Sequence, residues 1–391
     1  MKLLIISHTP HYRRQDGTLA GWGPTVREID YLARLFTPIT HIAPLYKGAA
    51  PLSALQYSAP NVQLRPVLPA GGTNLIQKLK ILPVIAPYVK TIREELQKAD
   101  VIHIRCPANI SLIALLALAG CRRPFYRWVK YAGNWQPDGR EPWSYTLQRW
   151  WLNKGLHRGI ATINGSWPGQ PPWVFSFPNP CLTQAEIRQA QEMVAAKKLC
   201  LPLQLLFVGR VEEAKGVGRV LQIAAALQRQ GVDFQLHIVG DGPERPIFVD
   251  CLKKHGLAPR VVFHGWLPRT ALPQLYARAH FFLFPSGASE GWPKVLSEAM
   301  AYGAVPLAGA VSSIPQILSE TGAGQALNPF DTKAFVQAII SYLNRKDEWQ
   351  KASLAGRQAA SLFTYETYLT RLQETCRQAW GLSLSCRDRY N

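Results

Sequence analysis

Short aliphatic runs alternate with helix-period segments along most of this chain, and that alternation restricts it to open parallel sheets with helices on both faces. In the first half, strands are predicted at Leu3 to Ser7, Ile39 to Ala43, Val62 to Pro66, Val101 to Arg105, Phe125 to Lys130 and Gly159 to Ile163. Helices are predicted at Thr25 to Phe36, Asn74 to Gln97, Ile110 to Leu118 and Trp143 to Leu152. The second half repeats the pattern, with strands at Gln204 to Val208, Phe234 to Val239, Val261 to His264, Phe281 to Phe284 and Ala304 to Leu307. Its helices fall near 216–230, 244–255, 271–279, 293–302 and 332–344.

Proline density and lost periodicity place the boundary between the halves at 178–202. The expected architecture is α/β: two Rossmann-like domains, 1–180 and 200–365, facing across a cleft. A helical segment, 366–391, packs back across both. The 391 residues suit this division, since a domain takes about 150.

Charge narrows the partners. The formal net charge is +19, and residues 1–190 carry most of it, with 22 basic against 9 acidic side chains. Such a surplus attracts phosphate, nucleotide, nucleic acid or an acidic bilayer. The longest apolar stretch, Ile110 to Gly120, is far short of the roughly 20 residues that span a bilayer. The Met1 to His8 segment reads as a buried strand and not as a signal peptide. Seven cysteines at scattered positions show no zinc spacing and suit reduced thiols in a cytoplasmic protein.

The second half carries the sharpest chemical signal. Leu205 to Arg210 reads as a strand ending in a glycine turn, with Lys215-Gly216 opening the next helix. Two cations at the carboxyl edge of a parallel strand face the crevice where such sheets bind ligands, and a diphosphate is their natural anion. A solvated basic turn is the alternative. Downstream, Phe284 to Met300 reads as a strand, a loop with Glu290, a proline in the first helical turn and Glu298 within the helix. The amides of Lys294, Val295 and Leu296 at that helix start form an anion site. Glu290 accepts hydrogen bonds from sugar hydroxyls or caps the helix; Glu298 reaches a ribose or lies on the helix surface.

Glu290, seven intervening residues and Glu298, followed by Ala299 to Gly303 and Val305-Pro306, resemble the signature of family 4 retaining glycosyltransferases of the GT-B fold. Val208-Gly209-Arg210 with Lys215-Gly216, Ile238 to Pro243, Val262 to Trp266, Leu275-Tyr276 and Phe284-Pro285-Ser286 are similar to that family in content and order. The resemblance covers about 200–330. It implies that Arg210 and Lys215 neutralise the diphosphate of a nucleoside-diphosphate-sugar, where they stabilise the leaving group most in the transition state. It also implies that Glu290 holds the donor sugar with Gly291, Trp292 and the amides that follow, and that Glu298 binds the ribose. Gly265 and Trp266 would read the base, while Gly240 and Gly242 would let the chain pass close to the nucleotide.

The first half resembles the acceptor domain more weakly, through a glycine-rich loop, Gly17 to Gly23, in which Gly21 and Gly23 would lie beneath the donor phosphates. One departure is the family's usual histidine, absent from Trp128 to Trp135. Asn134, or His103 at a strand end, is the candidate for that space. No Asp-x-Asp occurs, so no metal is expected and the cationic side chains with the helix amides take its place.

Between Cys121 and Gly159 stand eight Lys or Arg against two acids, interleaved with nine aromatic rings. Rings beside cations suit an anionic bilayer interface or sugar stacking, and some must be core. Leu75 to Leu82 forms a second basic amphipathic patch. The leading expectation is transfer of a sugar to a glycan or lipid-linked acceptor at the inner face of the plasma membrane. A silent nucleotide-sugar-binding subunit is the alternative, and nucleic acid is not an expected partner.

Overall fold

A computed structural model of the chain describes residues 1–70, 81–137, 139, 141–288 and 290–387. The first part of the predicted helix from Asn74, most of the Leu75 to Leu82 patch and Arg140 lie outside these residues. The chain divides into two compact units, Met1–Pro178 with Tyr368–Asn391, and Asn179–Thr367.

In the first unit a parallel sheet is built from β1 (Leu3–Ile6), β4 (Ile39–Tyr46), β6 (Val62–Val67), β7 (Val101–Cys106), β8 (Tyr126–Tyr131), β9 (Ile160–Ile163) and β10 (Val174–Ser176). β1 lies between β4 and β7, and β8, β9 and β10 follow outward from β7. The strands alternate their faces, so Leu4, Ile6, Ile102, Ile104 and Val129 pack towards α2 (Leu82–Leu96) and α3 (Asn109–Ala119). Leu3, Ile5, Val101 and Trp128 pack on the opposite side, with α1 (Gly23–Leu32). α4 (Trp143–Asn153) completes the helices that precede residue 178 among the described residues.

In this unit four short strands went unread in the sequence: β2 (His11–Arg13), β3 (Leu19–Trp22), β5 (Ala54–Gln56) and β10. β2 and β3 form an antiparallel hairpin, so the glycine segment expected as a loop is a strand pair with its turn at Asp16–Gly17 and Gly21 inside β3.

The second unit holds β11 (Leu203–Val208), β12 (Phe234–Val239), β13 (Val261–Gly265), β14 (Phe281–Phe284), β15 (Val305–Gly309) and β16 (Gln325–Leu327). All pairings are parallel, in the order β13-β12-β11-β14-β15-β16. Its helices are α5 (Gln184–Met193), α6 (Val217–Arg229), α7 (Arg245–Lys254), α8 (Leu272–Arg278), α9 (Lys294–Ala301), α10 (Ile314–Thr321), α11 (Thr332–Asn344) and α12 (Lys346–Ala359). α5 lies in the 178–202 boundary stretch, where Thr183 to Lys198 reads as a polar helix-like segment. A reciprocal cap between Thr183 and Glu186 starts it, and Ile187 and Ala190 carry it into the core of the second unit. The last helix, α13 (Tyr365–Trp380), begins in the second unit and belongs to the first from Tyr368 onward. There Tyr368, Leu372 and Cys376 complete the core beneath β1 and β8.

Candidate active site

In the second unit the chain runs outward from β11 to β13 and returns to the other side of β11 at β14. The carboxyl ends of β11 and β14 therefore form the switch point at which open parallel sheets bind ligands. Gly216 joins the two loops that leave these strands. Its φ is +86°, and a Cβ there would stand 2.3 Å from the Pro285 carbonyl oxygen. Arg219, unread in the sequence, fixes the junction by donating from Nε to the Pro285 carbonyl (2.8 Å) and from its guanidinium to Glu213 (2.9 Å).

This packing brings Lys215 and Glu290 into an ion pair. Burial, with the neighbouring Arg210 guanidinium, holds the Lys215 ammonium below its ordinary value, against an opposing pull from Glu212. Arg210 is more than half exposed and pairs with Glu212 at 3.0 Å. Two cations thus stand at the switch point, each paired with a carboxylate, Lys215 with Glu290 and Arg210 with Glu212.

The glycines have a more local reason than close passage to a nucleotide. A Cβ on Gly240 (φ +126°) would lie 1.9 Å from the Gly209 carbonyl oxygen, and one on Gly242 2.3 Å from that of Val211. Side chains here would force the turns after β11 and β12 apart. The Gly240 amide also donates to the Gly265 carbonyl at 2.8 Å, so Gly265 and the exposed ring of Trp266 stand next to these turns. Beside them Arg245 pairs with Asp241 at 3.5 Å.

At the start of α9 the Leu296 amide donates to the Pro293 carbonyl at 3.1 Å, which corrects the expectation that it is free for an anion. Lys294 and Val295 occupy the first helical positions and are partly exposed. The Trp292 side chain is core: it is buried, stacks on Phe363 and donates to Ser297 Oγ at 2.7 Å. Gly291 accepts from Ser313 Oγ through its carbonyl at 3.1 Å. Glu298 is buried and not on the helix surface. One of its carboxylate oxygens accepts from Arg269 at 2.6 Å and the other from Tyr276 Oη at 2.9 Å. Arg269 also bonds the Cys181 carbonyl and Glu186, a network with no sequence signal because its members come from distant segments.

In the first unit Gly21 packs against His11, and Gly23, the first residue of α1, against the Ser53 carbonyl, with no room for a Cβ at either. His103 is the third residue of β7, in register with Ile5 and Trp128, and not at the strand end. It is fully buried and stacked on Trp128, and burial holds it well below the ordinary imidazole range. Asn134 lies in the loop after β8, buried, and its side-chain oxygen accepts from the Gln136 amide at 3.1 Å.

Sequence reasoning missed His8. Ser7 and Thr9 on either side are buried, and Ser7 Oγ bonds the Thr9 amide and hydroxyl, so the chain turns His8 outward at the carboxyl end of β1. His11, His41, His103 and His157, the remaining histidines of this unit, are all buried. A charge cluster also went unread. The buried Glu28 carboxylate accepts from Arg105 (2.7 and 3.2 Å), Lys130 (2.7 Å) and Tyr368 Oη (3.2 Å).

Comparison with known proteins places this geometry. Residues 197–359 match the family model described as glycosyl transferases group 1. Alpha-D-kanosaminyltransferase of Streptomyces kanamyceticus is 30% identical over 140 residues, which are 36% of this chain and 36% of that protein. Lipopolysaccharide 1,6-galactosyltransferase of Salmonella typhimurium is 30% identical over 146 residues, 37% of this chain and 39% of that protein. The matches therefore span little more than a third of these relatives' length. The crystal structure of HepE from Anabaena in complex with UDP-glucose superposes on 97% of this chain, and on all of its own, with a TM-score of 0.67 at 17% identity. The second unit thus matches the group 1 glycosyl transferases, and the chain has the fold of GT-B glycosyltransferases.

Proposed function

We propose that the protein is a retaining, family 4 glycosyltransferase. It moves a sugar from a nucleoside-diphosphate-sugar to a glycan or lipid-linked acceptor in cell-surface polysaccharide or glycolipid synthesis. The observation that carries this reading is the meeting of Lys215, Arg210 and Glu290 at the β11/β14 switch point. The names of the two relatives and the UDP-glucose complex of HepE support it.

In this reading the donor diphosphate lies against Lys215 and Arg210. The bond from the anomeric carbon to the diphosphate breaks while the acceptor hydroxyl attacks from the same face. The hydroxyl's proton passes to the departing phosphate oxygen. Positive charge beside that oxygen stabilises the transition state more than the ground state, which is the work a metal performs elsewhere. Glu290, released from Lys215 by the phosphate, accepts from the sugar hydroxyls, and Glu298 reaches the ribose by exchanging one of its present partners. The base lies by Gly265 and Trp266. The protein acts at the cytoplasmic face of the plasma membrane, in peripheral contact with anionic lipid.

A silent nucleotide-sugar-binding subunit is the second reading, favoured by the lack of an imidazole between Trp128 and Trp135. Thermal shift against UDP, GDP, ADP and their sugar conjugates tests the donor site, because a ligand of the native state raises the melting point. A shift with one base, lost in Arg210→Ala, is expected. A shift without transfer to any acceptor favours the subunit, and no shift with any nucleotide overturns both readings.

A further inference from the structure

Of the basic residues between Cys121 and Gly159, the structure turns some inward and some outward. Arg127, Lys130 and Arg149 are buried, bonded respectively to backbone carbonyls, to Glu28 and to Glu141 with Tyr131 Oη. Arg122, Arg123, Lys154 and Arg158 are exposed, and among the described residues none of the four forms an ion pair. The rings divide in the same way. Trp128, Tyr131 and Trp135 are core, whereas Phe125 is 68% exposed and Trp150 49%.

The four exposed cations gather at one end of the sheet, whereas Trp143, 73% exposed, opens α4 away from them. Arg122, Arg123 and Phe125 lie in the turn that leads into β8, and Lys154 and Arg158 in the turn that leads into β9. β8 and β9 are paired neighbours, so the two turns lie side by side. Trp150 stands in the last turn of α4, immediately before the second of them. Both turns are held in place. Arg127 donates to the Cys121 and Pro124 carbonyls, and a Cβ on Gly159 would lie 2.0 Å from the Arg127 carbonyl oxygen. The Arg123 guanidinium lies 5.6 Å from the centre of the Phe125 ring.

We propose that this end of the first unit is a docking surface for an anionic lipid bilayer. Four unpaired cations attract acidic headgroups, and the exposed rings enter the boundary between headgroup and acyl chain, where aromatic residues are favoured. Charge complementarity on a preformed pair of turns, with apolar rings among the cations, favours a bilayer over a soluble anion. The proposal rests on the reading of peripheral contact with anionic lipid and names the face that meets it, at the amino ends of β8 and β9.

Co-sedimentation of the full chain with vesicles tests it, using phosphatidylcholine alone and equal parts phosphatidylcholine and phosphatidylglycerol. Binding to the mixed vesicles is expected to exceed binding to phosphatidylcholine by about tenfold or more and to fall as salt rises. Arg122→Glu with Arg123→Glu is expected to lower it by about tenfold. Phe125→Ala with Trp150→Ala is expected to weaken it without changing its salt dependence. The variants alter exposed side chains, and unchanged melting points check that they fold. Equal binding to both vesicles, no loss in the charge-reversed variant, or binding by these arginines to a polynucleotide in place of vesicles overturns the proposal. A nucleotide-induced thermal shift in the same preparation separates the two readings. A shift without vesicle binding overturns the docking surface alone, and vesicle binding without a shift overturns the donor site alone.

Discussion

The Lys215 ammonium and the Glu290 carboxylate are ion-paired where the loops after β11 and β14 meet. A diphosphate arriving at Lys215 competes with Glu290, so the two residues respond differently to substitution. Lys215→Ala is expected to weaken UDP binding and to lower turnover by about 10²-fold or more. Glu290→Gln is expected to bind UDP at least as tightly as the unaltered protein while losing turnover by a similar factor. Calorimetric titration with UDP and a transfer assay check this, and equal loss of UDP affinity in both variants would contradict the assignment.

His8 stands exposed at the carboxyl end of β1 in the first unit, and the proposed transfer gives it an acceptor hydroxyl to meet. His8→Gln is expected to leave the nucleotide-induced thermal shift unchanged and to lower transfer by about tenfold or more. Parallel melting and rate measurements decide it. Undiminished transfer would leave His8 without a role in the reaction.

The Glu28 carboxylate is shared by Arg105, Lys130 and Tyr368 in a buried cluster. Removing its charge strands two cations in the interior, so Glu28→Gln is expected to cost about 3–5 kcal/mol. Tyr368→Phe removes a single neutral donor and is expected to cost about 1 kcal/mol. Urea denaturation of the two variants measures the difference.

Burial pushes His11, His157 and His280 each down to about 4, against an ordinary value of 6.5. Below pH 6.5 the unfolded chain takes up protons that the folded chain excludes. Stability from these groups is full above 6.5, falls as the pH drops towards 4 and then levels off. At 1.36 kcal/mol per unit the loss approaches about 3 kcal/mol for each. The urea midpoint is therefore expected to be lower at pH 5 than at pH 7, and a midpoint constant over that range would contradict this picture.

Many of the parallel strands were legible as short apolar runs: Phe281–Phe284 is buried throughout, Phe234–Val239 alternates buried Phe234, Leu236 and Ile238 with Gln235 and His237, and both appear with the bounds read from the sequence. β2, β3 and β5 were not legible, since three or four residues of mixed polarity carry no measurable period. Lys215 and Glu290 could be assigned to one donor site through the family resemblance, though their ion pair was not read. The partners of Glu298 could not, because Arg269 and Tyr276 reach it from a different loop and helix, and nothing local marks a buried carboxylate. His103 illustrates the same limit. A shift of two residues along β7 separates a strand-end imidazole from one sealed in the sheet.

The passage of α13 from one unit into the other sets an order of assembly. Tyr368, Leu369, Leu372 and Cys376 are buried in a core whose remaining buried members precede residue 178, and Tyr368 bonds Glu28. During synthesis, the unit that emerges first from the ribosome therefore waits for the final helix, with the apolar face beneath β1 and β8 uncovered, while the whole of the second unit is made and can fold. The unit begun first is finished last, and a chain cut short after Thr367 would release a second unit with its core intact tethered to a first unit that lacks part of its interior.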